Sequence, residues 1–150
     1  MDCKTRTTIL CRMPLGEILE ISQEIKELAD VQVIKEPKAS LIMMRAKESV
    51  QQIIFNVGEV LVSESTVSVD GTIGYGVVMG DEGAKAEAVA LIDAVFRSEH
   101  SKWQDVKRNI TIFLKERQEL LQQEKRQEFN LIARSAVSFE IMDKREEDVN

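Results

Sequence analysis

The apolar positions of this chain change period twice, dividing it into helical ends and a strand-rich middle. In residues 3–13, Ile9, Leu10 and Met13 fall on one side of a short helix, which Pro14 ends or redirects. From 15 to 29, Leu15, Ile18, Leu19, Ile21, Ile25 and Leu28 keep close to helical spacing and predict an amphipathic helix with its stripe toward the core. β-Branched residues then dominate, and residues 31–34, 41–45, 50–56, 60–69 and 72–79 read as strands. The alternation through 60–69 is imperfect; a bulge or a change of buried face near Ser63 accounts for it. Asp70-Gly71 is the best hairpin signal, because both central residues of a type I′ turn need positive φ.

Helical period returns at 82–97, with Asp81 as the predicted N-cap and Ala84, Ala88, Leu91, Ile92 and Val95 along one face. Alanines there let the helix approach a sheet closely. Beyond it, His100 reads as a helix C-terminal cap and Trp103 as a packing anchor. Residues 115–130, KERQELLQQEKRQEFN, form a predicted helix whose apolar anchors are few: Leu120, Leu121 and Phe129. A helix that polar bridges solvent or lies on a partner. Residues 137–141 alternate like a last strand. This order predicts an α+β fold, a mostly antiparallel sheet flanked by N-terminal and C-terminal helices, as a single domain over 1–150.

Composition narrows the function classes. With 43% apolar and 31% charged residues the chain is of ordinary globular type. A net charge of -6 argues against nucleic acid as a partner, since phosphate-backbone readers need a dense basic face. One histidine and two cysteines provide no zinc constellation. Cys3 and Cys11, eight residues apart, would be separated by about 12 Å on a helix, too far for a bridge. There is no apolar run approaching a membrane span and no signal-peptide pattern at the start. These features predict a cytoplasmic protein with reduced thiols and no membrane association.

The glycines Gly71, Gly74, Gly76 and Gly80 allow two readings. A phosphate-cradling loop would need the Walker lysine, which is absent, or a βαβ setting, whereas these glycines run through a predicted hairpin strand. Glycine inside a strand marks a bulge or a close backbone contact. Gly80-Asp81 at a helix start offers an anion site, opposed by Asp81 and Glu82 themselves. Tyr75 reads either as a ligand contact or as a half-buried packing residue. Glu59, Glu64, Asp70, Asp81 and Asp93 supply carboxylates for acid/base work, but their spacing does not require convergence. No nucleophile set is evident.

The block from 53 to 94 resembles the PhnG family, the small subunit of the bacterial carbon–phosphorus lyase system that handles organic phosphonates. The resemblance is carried by Leu41-Ile42-Met43 with Arg45, then Phe55-Asn56-Val57-Gly58-Glu59-Val60 and Asp70-Gly71-Thr72-Ile73-Gly74-Tyr75. Gly80-Asp81 and Ala90-Leu91-Ile92-Asp93-Ala94 follow in order, with a weaker echo at Val137, Phe139 and Met142. The family commonly has an arginine where this chain reads Ser63-Glu64-Ser65, and a second aromatic where it has Glu140.

The resemblance implies a subunit of a multi-protein core that joins a phosphonate to the ribose carbon of a nucleoside triphosphate. With ATP and methylphosphonate this yields ribose 1-methylphosphonate 5-triphosphate and releases adenine. It implies that a larger partner does the glycosidic chemistry and that the small subunit supports assembly. The chain itself then needs no catalytic residue, cofactor or metal; ATP is a substrate of the complex, and the other core subunits are the partners. A contrasting reading is a stand-alone phosphonate- or nucleotide-binding domain or enzyme with a pocket around Tyr75, Glu59 and Asp93. A third is a homo-oligomer built through an exposed sheet edge.

Overall fold

Two short helices open the computed structural model, which describes residues 1–134. The first, α1 (Cys3–Arg12), starts where the Asp2 carboxylate accepts a hydrogen bond from the Thr5 amide at 2.6 Å. It buries Ile9 and Leu10, with Met13 just beyond its end. Pro14, which has no amide hydrogen to lose, then begins α2 (Leu15–Leu28). Only Ile18, Ser22 and Ile25 of α2 are buried. Leu15, Leu19 and Leu28 remain exposed, which corrects the predicted stripe: α2 packs on α3 along a narrow line, and the rest of its apolar positions stay partly open.

Next comes an antiparallel sheet of three strands in the order β1-β2-β3: β1 (Val31–Lys47), β2 (Ile54–Val69) and β3 (Thr72–Met79). Five predicted strands are thus three. The runs at 31–34 and 41–45 are one strand continuing through Pro37, which an edge strand tolerates because its outer side has no ladder to break. Residues 54–56 and 60–69 likewise join through Gly58, while Val50 sits in the connecting turn. The irregularity expected near Ser63 divides between two strands. β2 buries both Val62 and Ser63, a change of face. The register shifts at Val33/Lys35 and Lys35/Lys38 place surplus residues in β1, and a third, at Met44/Arg45, leaves Val57 of β2 as the surplus residue farther along. Asp70 (φ 49°) and Gly71 (φ 82°) close the β2–β3 hairpin with the expected pair of positive φ values.

The third helix, α3 (Gly83–Arg97), has ten of its residues buried, more than the single face predicted, although Ala84 of that face is exposed. One side of it lies on the sheet. An added Cβ at Gly74 would collide with the Ala90 carbonyl and the Ala94 amide, and one at Gly76 with the Ala86 carbonyl. Glycines facing alanines therefore set the depth at which helix meets sheet. α1 and α2 pack against the same helix, so Ile9, Ile18, Ile25, Leu91, Ile92 and Val95 supply the core. Burying each such side chain contributes roughly 1.5–3 kcal/mol.

Asp81 does not cap α3. The N-cap residue is Glu82, and its amide donates to the Ser63 hydroxyl at 2.8 Å, while that hydroxyl donates to the Gly80 carbonyl at 2.9 Å. Ser98, not His100, ends the helix: its amide donates to the Ala94 carbonyl, and exposed His100 instead precedes a 3-10 turn, Ser101–Trp103. Trp103 is fully buried, the anchor the sequence suggested.

The last described element is α4 (Gln104–Arg134). The described chain divides within it into two compact units, Met1–Lys115 and a second beginning at Glu116. Val106, Ile110 and Leu114, at four-residue spacing, bury α4 in the first unit. In the second unit Leu120, Phe129 and Leu131 are exposed. The strand predicted at 137–141 lies outside the described residues.

Candidate functional site

β3 reaches β2 only as far as the Val62–Met79 pair. Beyond it, from Leu41–Leu61 to Lys47–Ile54, β1 and β2 continue with each other as their only strand neighbours among the described residues. Eight residues of β2 at about 3.3 Å each make a two-stranded ribbon roughly 25 Å long. Its side chains are apolar on both faces. Leu41 and Ile42 point to opposite sides and are 62% and 48% exposed; Met43, Met44, Ile54 and Phe55 are about equally open. A single strand pair cannot shield such residues, and monomeric surfaces rarely expose apolar area this continuous.

At the root of the ribbon is a cavity of about 640 Å³ between α1, the sheet and the start of α3. Ile42, Val62, Val77 and Met79 give it apolar walls, and Lys4, Arg12 and Lys85 stand among its polar positions. Lys85 is paired with Glu82 at 2.9 Å. Lys4 and Arg12 have no ion-pair partner among the described residues. The cavity also takes in Cys11, whose thiol donates to the Val77 carbonyl at 3.7 Å and is pushed up in pKa by burial. Cys3 and Cys11 are both unbridged.

The family-motif residues separate into different roles. Phe55, Asn56, Gly58 and Glu59 belong to the ribbon. Gly71 and Thr72 make the hairpin, Gly74 the helix contact, and Gly80 the turn that Ser63 ties down. Tyr75 and Asp93 do meet, though through the main chain: the Tyr75 amide donates to Asp93 Oδ2 at 3.2 Å. Buried Asp93 also holds Arg6 at 3.2 Å and Arg97 at 2.6 Å, so one carboxylate links α1, α3 and the outer edge of β3. Hydrogen bonding to Asp93 raises the Arg97 pKa further. The two guanidinium groups lie over aromatic rings, Arg6 over Phe96 at 4.2 Å and Arg97 over Tyr75 at 5.4 Å.

Glu59 does not join them. Tyr75 is opposite Thr66, seven residues along β2 from Glu59, which is about 23 Å of strand and an odd step that reverses the face. None of Glu59, Tyr75 and Asp93 lines the cavity. Glu64, where the family commonly has an arginine, is engaged by this chain's own Lys35 and Ser40, each at 2.7 Å. Lys35 foremost holds its carboxyl below the usual range. No group of His, Cys, Asp and Glu among the described residues is arranged to hold a metal ion.

Fold and site together define a small α+β protein that holds an apolar ribbon out beyond its own core. The chain belongs to the PhnG family of phosphonate metabolism proteins, whose profile matches residues 2–145. It is similar to the alpha-D-ribose 1-methylphosphonate 5-triphosphate synthase subunit PhnG of Rhizobium meliloti (strain 1021), at 34% identity over 91 residues. That alignment spans 60% of this chain and 58% of the relative's length.

Proposed function

We propose that this chain is an accessory subunit of a carbon–phosphorus lyase core complex. In that role it supports formation of ribose 1-methylphosphonate 5-triphosphate from ATP and methylphosphonate, with release of adenine. The family membership supports the reading, and one structural observation carries it: the ribbon exposes on both faces side chains of the kind that other proteins bury. The engagement of Asp93 in joining α1, α3 and β3 supports reading that site as structural, with the chain contributing assembly and the larger subunits chemistry. On this proposal the chain carries no cofactor, works in the cytoplasm, and contacts neither nucleic acid nor membrane; no described helix is long and apolar enough to span one.

The test is co-expression of the remaining core subunits with and without this chain, followed by an assay of adenine release from ATP plus methylphosphonate. Release only when the chain is present supports the proposal. Full activity without it, or turnover by the isolated chain, refutes it.

A further inference from the structure

We propose that the ribbon and the cavity at its root form one docking device, inserted into an apolar cleft of a larger subunit whose rim carries acidic side chains. The inference rests on the reading of the chain as a subunit and adds the surface, the manner of insertion and the character of the partner.

The two-sided exposure fixes the manner. Leu41, Met43 and Leu61 lie on one face, Ile42 and Met44 on the other. A flat partner would cover one set and leave the other in water, so the occupant has to enclose the ribbon. The outer edge of β1 adds a third side: from Ala39 to Lys47 it has no proline and, among the described residues, no neighbouring strand, leaving backbone groups available for pairing. The area agrees with a stable interface. Nine large apolar side chains between Leu41 and Leu61 are about half exposed; at roughly 170–200 Å² per free side chain they present ~800 Å², one partner's share of a standard interface.

Charge and geometry select a different protein over a second copy. This chain is at -6, so two copies repel. Edge-to-edge pairing of two ribbons would leave the faces of both exposed, and face-to-face stacking would bury one face of each. At the root, Lys4 and Arg12 flank the cavity without ion-pair partners among the described residues. An apolar side chain entering between Ile42 and Met79, with an acid nearby, satisfies both the walls and the two cations.

The experiment uses the tagged chain co-expressed with the other core subunits, comparing wild type with Leu41→Glu, Phe55→Glu, the pair Lys4→Glu/Arg12→Glu, and Leu28→Glu. Leu28 is an equally exposed leucine on α2, away from the ribbon, and serves as the control. We expect the ribbon variants to lower co-purification about ten-fold or more, and the charge pair to do so in a salt-dependent way. Leu28→Glu should bind as wild type, and the isolated variants should keep the wild-type urea midpoint. An independent arm uses wild type alone: trypsin cleavage after Arg45 and Lys47, at the far end of the ribbon, should be slowed about ten-fold in the complex relative to the free chain.

Ribbon variants that bind normally, or cleavage unchanged by complex formation, overturn the inference while the subunit role stands. A wild-type dimer dissociated by the ribbon variants, with the complex still forming, assigns the ribbon to a second copy and overturns it too. Wild type that captures no other subunit removes the subunit role and this inference with it.

Discussion

The contact between Gly76 and α3 is the sharpest place to test whether the glycine-rich strand is packing or ligand chemistry. A Cβ at Gly76 would overlap the Ala86 carbonyl, with the Ala90 amide 2.8 Å away. Both neighbours are main chain, so no side-chain rotation relieves the clash; α3 must move off the sheet or the strand must bend. Overpacking of a core costs about 1–3 kcal/mol, and with main chain on the far side the upper end is expected. We therefore predict that Gly76→Ala lowers stability by about 3 kcal/mol, roughly 10 °C in melting temperature for a chain of this size. The comparison is Gly16→Ala, in the exposed first turn of α2 with nothing within 4 Å of an added Cβ. Helix propensity there predicts a gain of about 0.5 kcal/mol. Both are measured by urea denaturation of the isolated chain without ligand. A Gly76→Ala loss below about 0.5 kcal/mol, similar to a surface change, would refute the close-packing account. The glycines would then need another explanation.

Other consequences follow from the same geometry. Asp93→Ala should cost about 3 kcal/mol in chemical denaturation, because it strands buried Arg6 and frees the Tyr75 amide, whereas Arg97→Met, at a half-exposed partner, should cost below about 1 kcal/mol; equal losses would argue against the asymmetry. Ser63→Ala removes the hydroxyl that both donates to Gly80 and accepts from Glu82, and should destabilise by about 1–3 kcal/mol, with faster amide exchange at Glu82 as the local readout. For pH, Lys35 and Ser40 depress the Glu64 carboxyl, and Lys102 that of Asp70. Their folded pKa values lie below the unfolded ones near ~4, so their stabilisation is complete above that range and disappears as pH falls through the folded values. The urea midpoint should drop on acidification below about pH 4, and Glu64→Gln/Asp70→Asn should flatten that limb; an unchanged limb would assign it to other carboxylates. In the second unit, Leu120→Ala/Phe129→Ala should weaken capture of the other core subunits more than it lowers the isolated chain's urea midpoint, since both side chains are exposed; equal losses would make them core.

What the sequence revealed and what it concealed differ by the range of the interactions involved. Asp70-Gly71 states its turn locally, because the required φ values belong to those two residues. A tendency to close approach was legible in the small residues of both elements, but not which alanines make it: the pattern points to Ala84 and Ala88, whereas Ala86, Ala90 and Ala94 meet Gly74 and Gly76, and Ala84 is exposed. Strand count was not legible, because Pro37 and Gly58 punctuate a local reading while their actual cost depends on whether a neighbouring strand needs their hydrogen bonds. The Asp93 hub and the cavity bring together α1, β3 and α3 from distant parts of the chain, and spacing alone cannot specify that convergence.

The ribbon is the most instructive case. Leu41-Ile42-Met43-Met44 and Ile53-Ile54-Phe55 do not alternate, and an unbroken apolar run signals a strand covered on both faces. Taken within one chain, that signal places these residues in a core. Among the described residues they remain about half exposed, lying beyond the Val62–Met79 pair where β3 ends. On the docking inference, the second layer that the pattern calls for comes from a partner subunit. A binary pattern specifies that a face is to be buried without specifying by which molecule. The apolar runs were therefore readable as strands, and their exposure became visible only in the three-dimensional structure.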